Sequence, residues 1–137
     1  MKIKYDNQLV RIISVFNSIT DARLKDCFCE QDHIVFVVEE NEIGKAVGKG
    51  GSRVKMLERT LNRKIKIVEF NPSVTEFVRN LVFPIKIKDI KENGQRIIIE
   101  AEDSISRGLL IGRAAQNLRN FETITKRYFS IEEIRVI

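Results

Sequence analysis

The sequence predicts an α+β protein in which one unit occurs twice, in residues 1–70 and in residues 71–137. Its 137 residues, 43% of them hydrophobic, suffice for one compact body or for two small domains. Hydrophobic spacing gives the same order of elements in each half: helix, strand, strand, helix, helix, strand. A shift of the sequence by 64 residues superimposes Gly44 on Gly108, Gly48 on Gly112 and Lys49 on Arg113. These agreements indicate an internal repeat with a very short linker.

The elements of the first half follow from hydrophobic spacing and polar breaks. Apolar residues at spacings of three, one and three define one helix face: Leu9, Ile12, Ile13 and Phe16. Strand-like runs at 23–29 and 33–38 are joined by the polar residues 30–32, which suit a hairpin. Three further elements complete the unit: a short helix over 41–47, a helix with Val54, Leu57 and Leu61 on one face, and a strand in which Ile65 and Ile67 alternate.

The second half begins after the break at Asn71-Pro72-Ser73. Ser73 and Glu76 have the spacing of a capping box, which predicts a new helix that ends at Pro84. Strands over 85–90 and 96–101 flank Asn93-Gly94, a dipeptide typical of tight hairpins. The last elements are a short helix capped by Asp103, a longer helix with Leu118, Phe121 and Thr125, and a strand with Ile134 and Val136.

The glycine-rich stretch 44–54, GKAVGKGGSRV, nearly fits two phosphate-binding motifs. A P-loop needs four residues between its first glycine and the Gly-Lys pair, but only three separate Gly44 from Gly48-Lys49. Gly50 also stands where the magnesium-binding hydroxyl is needed. A dinucleotide fingerprint that starts at Gly48 would require a glycine where the chain has Arg53. Neither nucleotide motif is therefore predicted.

The run 47–54, VGKGGSRV, resembles the GXXG loop of a KH domain, which clamps the backbone of about four nucleotides. Glycines at its first and fourth positions, Gly48 and Gly51, permit a tight turn and a close approach of the main chain to a sugar-phosphate. The amides and dipole of the following helix favour the negative charge of a phosphate. The helix and two strands before the loop correspond to the prokaryotic, type II arrangement, so we expect two tandem type II KH domains, each with a three-stranded sheet packed on helices.

Charge supports this interpretation of the first loop. Residues 43–68 contain eight basic residues and one acid, whereas residues 30–42 contain five acids and neither lysine nor arginine. Such segregation favours a surface that faces a polyanion. Lys49 and Arg53 are the predicted phosphate contacts, and Lys45 is a further candidate. Apolar residues beside the loop have two possible roles, in the core or in the floor of a base-binding groove: Ile43, Val47 and Val54.

The second copy reads Gly112-Arg113-Ala114-Ala115, with alanine in place of the fourth glycine. A positive φ at that position would strain alanine, whereas a helical φ would suit it, and the sequence leaves both open. The RNA-binding residues predicted for the two copies together are Ile43, Lys45, Val47, Gly48, Lys49, Gly50, Gly51, Arg53, Gly112, Arg113 and Asn117.

Two such units that fill the chain resemble the archaeal NusA-like transcription factors. The resemblance is carried by AVGKGGSRVKMLE and by IGRAAQNLRNFETITKRYFSIEEI. It implies binding of single-stranded RNA during elongation, pausing and termination, with RNA polymerase as a further partner and a cytoplasmic location. Two alternatives stay open: a ribosomal or ribosome-biogenesis KH protein, and a KH-derived module that binds protein.

Other classes of function are disfavoured by the residues present. The chain has one histidine, His33, and two cysteines, Cys27 and Cys29, which read as small core residues in a strand. Together these give three potential zinc ligands without a fourth. No nucleophile and base are arranged by a motif, and no apolar run approaches the roughly 18 residues of a membrane span. The sequence therefore predicts a protein that is not an enzyme and that uses no metal or cofactor.

Overall fold

The computed structural model describes residues 7–30 and 33–137. The chain divides between Phe70 and Asn71 into two compact units, each with its own sheet. Gln31 and Asp32, which belong to the predicted hairpin loop, lie outside the described residues. None of the described helices has the length and apolar character that a membrane crossing requires.

The described part of the first unit contains three α-helices and three strands in the predicted order. Their bounds are α1 Asn7–Ile19, β1 Leu24–Glu30, β2 His33–Val38, α2 Ile43–Val47, α3 Ser52–Leu61 and β3 Lys64–Glu69. A single 3₁₀ turn, Lys49–Gly51, separates α2 from α3. The glycine-rich stretch thus forms the connection between two helices, as the sequence predicts.

The second unit repeats this order. Its elements are α4 Val74–Val82, β4 Ile87–Asn93, β5 Arg96–Ala101, α5 Ser104–Ile111, α6 Gln116–Lys126 and β6 Glu133–Val136. Again a single 3₁₀ turn, Arg113–Ala115, separates the two helices that follow the hairpin. Both halves therefore place their loop at the same point of the same topology.

Each sheet has three strands with the second strand in the centre. In the first unit β2 pairs antiparallel with β1 and parallel with β3. In the second unit β5 pairs antiparallel with β4 and parallel with β6. Parallel neighbours require a crossover connection, and each loop lies within that crossover.

Both first strands carry an irregularity of register at a Lys-Asp pair. In β1 the register shifts between Leu24 and Asp26, and in β4 it shifts between Ile87 and Asp89. In each case the aspartate Oδ1 accepts a hydrogen bond from the amide of the next residue, at 2.8 Å. A bulge of this kind adds one residue to a strand and bends it.

The core of the first unit lies between α1, the sheet and the helices beside the loop. Phe16 of α1 stacks on Phe36 of β2 with ring centroids 4.5 Å apart. Ala46 of α2 and Leu57 of α3 belong to the same buried cluster. The helices on either side of the loop are therefore each anchored by a fully buried side chain.

The second unit buries the corresponding residues. Leu110 of α5 is fully buried, and Phe121 of α6 is 8% exposed. Phe77 of α4 contacts the rings of Tyr128 and Phe129, with centroids 5.4 and 5.5 Å away. Aromatic packing thus links α4 to the segment that follows α6.

Three local expectations differ from the structure. The Ser73 side chain caps no amide of α4, since its Oγ lies 3.1 Å from Thr75 Oγ1, so the predicted capping box is wrong. Strand β4 extends to Asn93 and pairs that residue with Arg96, which moves the turn to residues 94–95. The short helix of the first unit begins at Ile43, two residues later than expected.

Candidate nucleic-acid interface

The loop of the first unit is a tight backbone corner with an exposed tip. Gly48, Gly50 and Gly51 all have positive φ, at 77°, 61° and 74°. Lys49 and Gly50 are exposed, and apart from each glycine and its two chain neighbours, no described residue comes within 4 Å of the place that a Cβ on Gly50 or Gly51 would occupy. The main chain at the tip is thus open to a close approach from outside.

Gly48, unlike the glycines at the tip, is closely packed by neighbouring side chains. A Cβ added there would lie 2.8 Å from Arg53 Cγ and 2.8 Å from Ser52 Oγ. Two hydrogen bonds fix the corner: the Gly48 amide donates to Gly44 at 3.0 Å, and the Gly51 amide donates to Gly48 at 3.2 Å. Glycine is therefore required at position 48 by both backbone and side-chain packing.

The loop of the second unit has the same backbone conformation. Gly112 has φ 74° and ψ 177°, close to the φ 77° and ψ 169° of Gly48. Ala114 and Ala115 follow at φ 53° and 59°, in the region that Gly50 and Gly51 occupy. Of the two alternatives that the sequence left open, positive φ is the one found, so both alanines are strained.

A side chain from the helix after each loop hydrogen-bonds to the helix before it. Arg53 Nη1 donates to the carbonyl oxygen of Lys45. Asn117 Nδ2 donates to the carbonyl oxygen of Leu109 at 2.8 Å. The two donors are equivalent in the repeat, as are the two acceptors. The residue pattern predicts Arg53 as a phosphate contact, and no pattern in the sequence predicts its bond to the preceding helix.

The helices after the loops begin without a side-chain N-cap. Neither α3 nor α6 has a side chain that caps its first amides, and neither carries an acid in its first turn. By contrast α5 is capped by Asp103, whose Oδ1 accepts from the Ser106 amide at 2.7 Å. An uncapped helix start presents amide donors and a positive dipole end to an anion.

Exposed cations that form no ion pair within the described chain occur on the loops and adjacent helices. They are Lys49, Lys55 and Arg59 in the first unit, and Arg107, Arg113, Arg119 and Lys126 in the second. Cations on the second sheet instead pair with carboxylates there: Lys88, Lys91, Arg96 and Arg135. In the second unit, these free cations therefore lie on the loop and helices and not on the sheet, whereas in the first unit Lys64 of β3 is also exposed and forms no ion pair with a described residue.

Lys45 is less available than the sequence suggests. Its Nζ lies 3.3 Å from Glu42 Oε2, and Glu42 is buried. Glu42 Oε1 also accepts from the Arg23 amide at 2.9 Å. That amide bond, followed by contacts of Lys45 and the Arg23 guanidinium, holds the pKa of Glu42 below its ordinary value. This carboxylate links the residue before β1 to the start of α2, a role that the residue pattern does not predict.

The apolar residues beside the first loop are partly buried. Ile43 packs against the core cluster of the unit, which favours the core role of the two that the sequence allowed. Val47 and Val54 are also half-buried and retain some exposed surface. The groove role stays a prediction for these two residues.

The cysteines do not form a metal site in the described part of the chain. Cys27 is buried, whereas Cys29 is exposed with its Sγ 3.5 Å from Arg63 Nη1. Within residues 7–30 and 33–137, no three His, Cys, Asp or Glu side chains are grouped as metal ligands would be. The core role predicted for Cys29 is therefore wrong: the residue is exposed near the end of β1, although its place two residues after the buried Cys27 puts it on the same face of the strand.

Comparison with known proteins agrees with the geometry of the loops. Residues 11–88 match the family model described as KH domain. A protein of Halobacterium salinarum named "Probable transcription termination protein NusA" is 33% identical over 99% of both chains. A protein of the same name from Methanocaldococcus jannaschii is 29% identical over 99% of this chain and 76% of its own length. The crystal structure of APE1850 superimposes with a TM-score of 0.74 at 27% identity, covering 97% of this chain and 100% of that one.

Proposed function

We propose that this chain, which belongs to the family of archaeal NusA-like KH proteins, binds single-stranded RNA with both of its loops and acts in transcriptional elongation, pausing and termination. Each unit would then be one type II KH domain, residues 1–70 and 71–137. One nascent strand would be held by both, in the cytoplasm, with RNA polymerase as a further partner.

The observation that carries the proposal is the exposed glycine corner at residues 48–51. Its tip has open space beside the main chain, Lys49 is unpaired within the described residues, and α3 begins without a side-chain cap. Amides and cations so arranged bind phosphate, and KH loops use them to clamp the backbone of about four nucleotides.

The second loop supports a contact of the same kind with a lower affinity. It keeps the backbone of the first loop and an exposed arginine, Arg113, at the position of Lys49. The methyl groups of Ala114 and Ala115 occupy space that stays open beside Gly50 and Gly51. A nucleotide backbone would therefore approach this loop less closely, and electrostatic attraction would make up more of the binding.

The test is a titration of labelled single-stranded RNA with the Lys49→Asp/Gly50→Asp double variant. Both residues are exposed and carry no packing, so we expect the fold to persist by circular dichroism while RNA affinity falls at least tenfold. Lys91→Asp/Gly94→Asp is the matched control, because it makes the same charge change at the hairpin of the second sheet, and Gly94 shares the positive φ and open surroundings of Gly50. Arg113→Asp should weaken binding by less than the double variant does.

Salt dependence separates this function from its alternatives. If several phosphates are contacted, log Kd should rise linearly with log salt concentration, with a slope that falls in the loop variants. A chain that binds only protein would show no saturable RNA binding even at low salt. A preference for a structured duplex over an unpaired strand would favour the ribosomal alternative. Undiminished affinity in a folded double variant would refute the assigned site.

A further inference from the structure

We propose that Arg53 and Asn117 are positioning residues that brace the two loops, and that the charge of Arg53 is not used to bind phosphate. The inference rests on the proposed function only for its binding measurement. Each residue is the second of the helix that follows its loop. From there, each side chain reaches back across the loop to the helix that precedes it.

We call each of these side-chain hydrogen bonds to the preceding helix a brace, and the two braces use different chemical groups as donors. A guanidinium donates to the Lys45 carbonyl in the first unit, and a neutral amide donates to the Leu109 carbonyl in the second. Both acceptors lie near the end of a helix, where carbonyls lack a partner four residues on. Since an uncharged side chain makes this bond in the second unit, positive charge is not needed for it.

This hydrogen-bonded side chain also explains why both loops keep the first glycine and only the first loop has glycine at the third and fourth positions. A Cβ on Gly112 would lie 2.6 Å from Asn117 Cγ, and a Cβ on Gly48 would lie 2.8 Å from Arg53 Cγ. The bracing side chain therefore covers the first glycine and excludes any other residue there. The third and fourth positions of the first loop face open space, so alanine at those positions in the second unit meets only backbone strain.

The hydrogen bond from Arg53 or Asn117 to the preceding helix restricts the motion of the loop. A tip held against the preceding helix keeps its amides and cation in one arrangement, which lowers the entropy lost when a ligand is bound. Without the brace, the corner would retain its own two hydrogen bonds, from the amides of Gly48 and Gly51, but would sample other positions. We therefore expect both faster amide exchange in the loop and weaker binding of RNA.

The experiment compares Arg53→Asn with Arg53→Ala. The asparagine variant copies the brace of the second unit and removes the charge, whereas the alanine variant removes both. We expect Arg53→Asn to bind single-stranded RNA within about twofold of the unaltered protein, with an unchanged salt slope. Arg53→Ala should bind about three- to tenfold more weakly, which corresponds to the loss of one hydrogen bond.

Hydrogen exchange of the Gly51 amide supplies a measurement that needs no RNA. Exchange should accelerate in Arg53→Ala and stay unchanged in Arg53→Asn. Asn117→Ala and Asn117→Arg repeat the comparison at the Ala115 amide in the second unit, should an Arg53 variant fail to fold. In that pair the arginine variant should preserve protection.

Three results would overturn the proposal. Equal weakening in both Arg53 variants, with a salt slope lower by about one, would make Arg53 a phosphate contact. Full affinity and protection in Arg53→Ala would leave the brace without effect. Rapid exchange in Arg53→Asn would show that the amide cannot replace the guanidinium. Failure of the unaltered protein to bind RNA would refute the proposed function, while the exchange comparison would still decide the role of the brace.

Discussion

The strained alanines of the second loop predict that Ala114→Gly/Ala115→Gly stabilises the protein. A left-handed conformation costs an L-residue roughly 1–2 kcal/mol. Ala114 and Ala115 both adopt it, at φ 53° and 59°. Glycine removes that strain and gives back about 0.4–1 kcal/mol through the greater freedom of the unfolded chain. We expect a net gain of about 0.5–1 kcal/mol per site, or about 1–2 kcal/mol for the double variant.

The first loop provides the reverse substitution and a matched control. Gly50→Ala/Gly51→Ala should lower the free energy of unfolding by a similar amount. The added methyl groups would meet open space, so the cost would come only from the strain of alanine at positive φ. Gly44→Ala also meets open space, but Gly44 lies in α2 without a positive φ. Alanine should stabilise that position by about 0.5–1 kcal/mol.

Urea denaturation followed by circular dichroism measures all three variants against the unaltered chain. An unchanged slope with a shifted midpoint would show that stability alone has changed. If the double glycine variant in the second loop leaves the midpoint unchanged or lowers it, the left-handed assignment of Ala114 and Ala115 is wrong. Equal signs for Gly44→Ala and Gly50→Ala/Gly51→Ala would also contradict the reasoning, because only the second requires positive φ.

Two further predictions concern side chains that satisfy backbone amides. Asp103→Ala should lower the urea midpoint because it leaves the Ser106 amide uncapped, whereas Ser73→Ala should change little because Ser73 caps nothing. The hydrogen bond from the Arg23 amide is the largest cause of the lowered pKa of Glu42, whose ordinary value is 4.5. The ionised Glu42 carboxylate therefore stabilises the folded chain fully above pH 4.5, and this contribution is lost as the pH falls through the lowered pKa. The stability difference between the unaltered chain and Glu42→Gln should therefore shrink below pH 4.5 in urea titrations, and a pH-independent difference would count against this role.

Element order was predictable from the sequence because hydrophobic spacing and turn residues act locally. The repeat of glycines and apolar residues fixed both the two-unit organisation and the place of the loops. Strand ends were less certain, since register depends on the partner strand: Asn93 pairs with Arg96 instead of forming the turn. Ser73 has the spacing of a cap, but its hydroxyl contacts Thr75 instead, and spacing alone does not reveal that competition.

The candidate site was predictable in its residue types and less so in its side-chain contacts. Glycine in a tight turn has a local cause, so the corner at residues 48–51 followed from composition. The bonds of Arg53 to Lys45 and of Glu42 to Arg23 span 8 and 19 residues, and they depend on how separate elements pack. For Ala115 the conformation is imposed by the surrounding fold against local preference, so the residue type alone could not decide between a positive and a helical φ.

The position of each loop inside a parallel crossover has a consequence for the order of folding. The strands of the hairpin β1–β2 are close in sequence, whereas β3 can pair with β2 only after the segment between Val38 and Lys64 has formed a closed loop. Long closures lose more chain entropy and form later than local ones. The pairing of β3 with β2 is thus among the last contacts of the unit to form, whereas the hydrogen bonds of the corner at residues 48–51 are local and can form earlier.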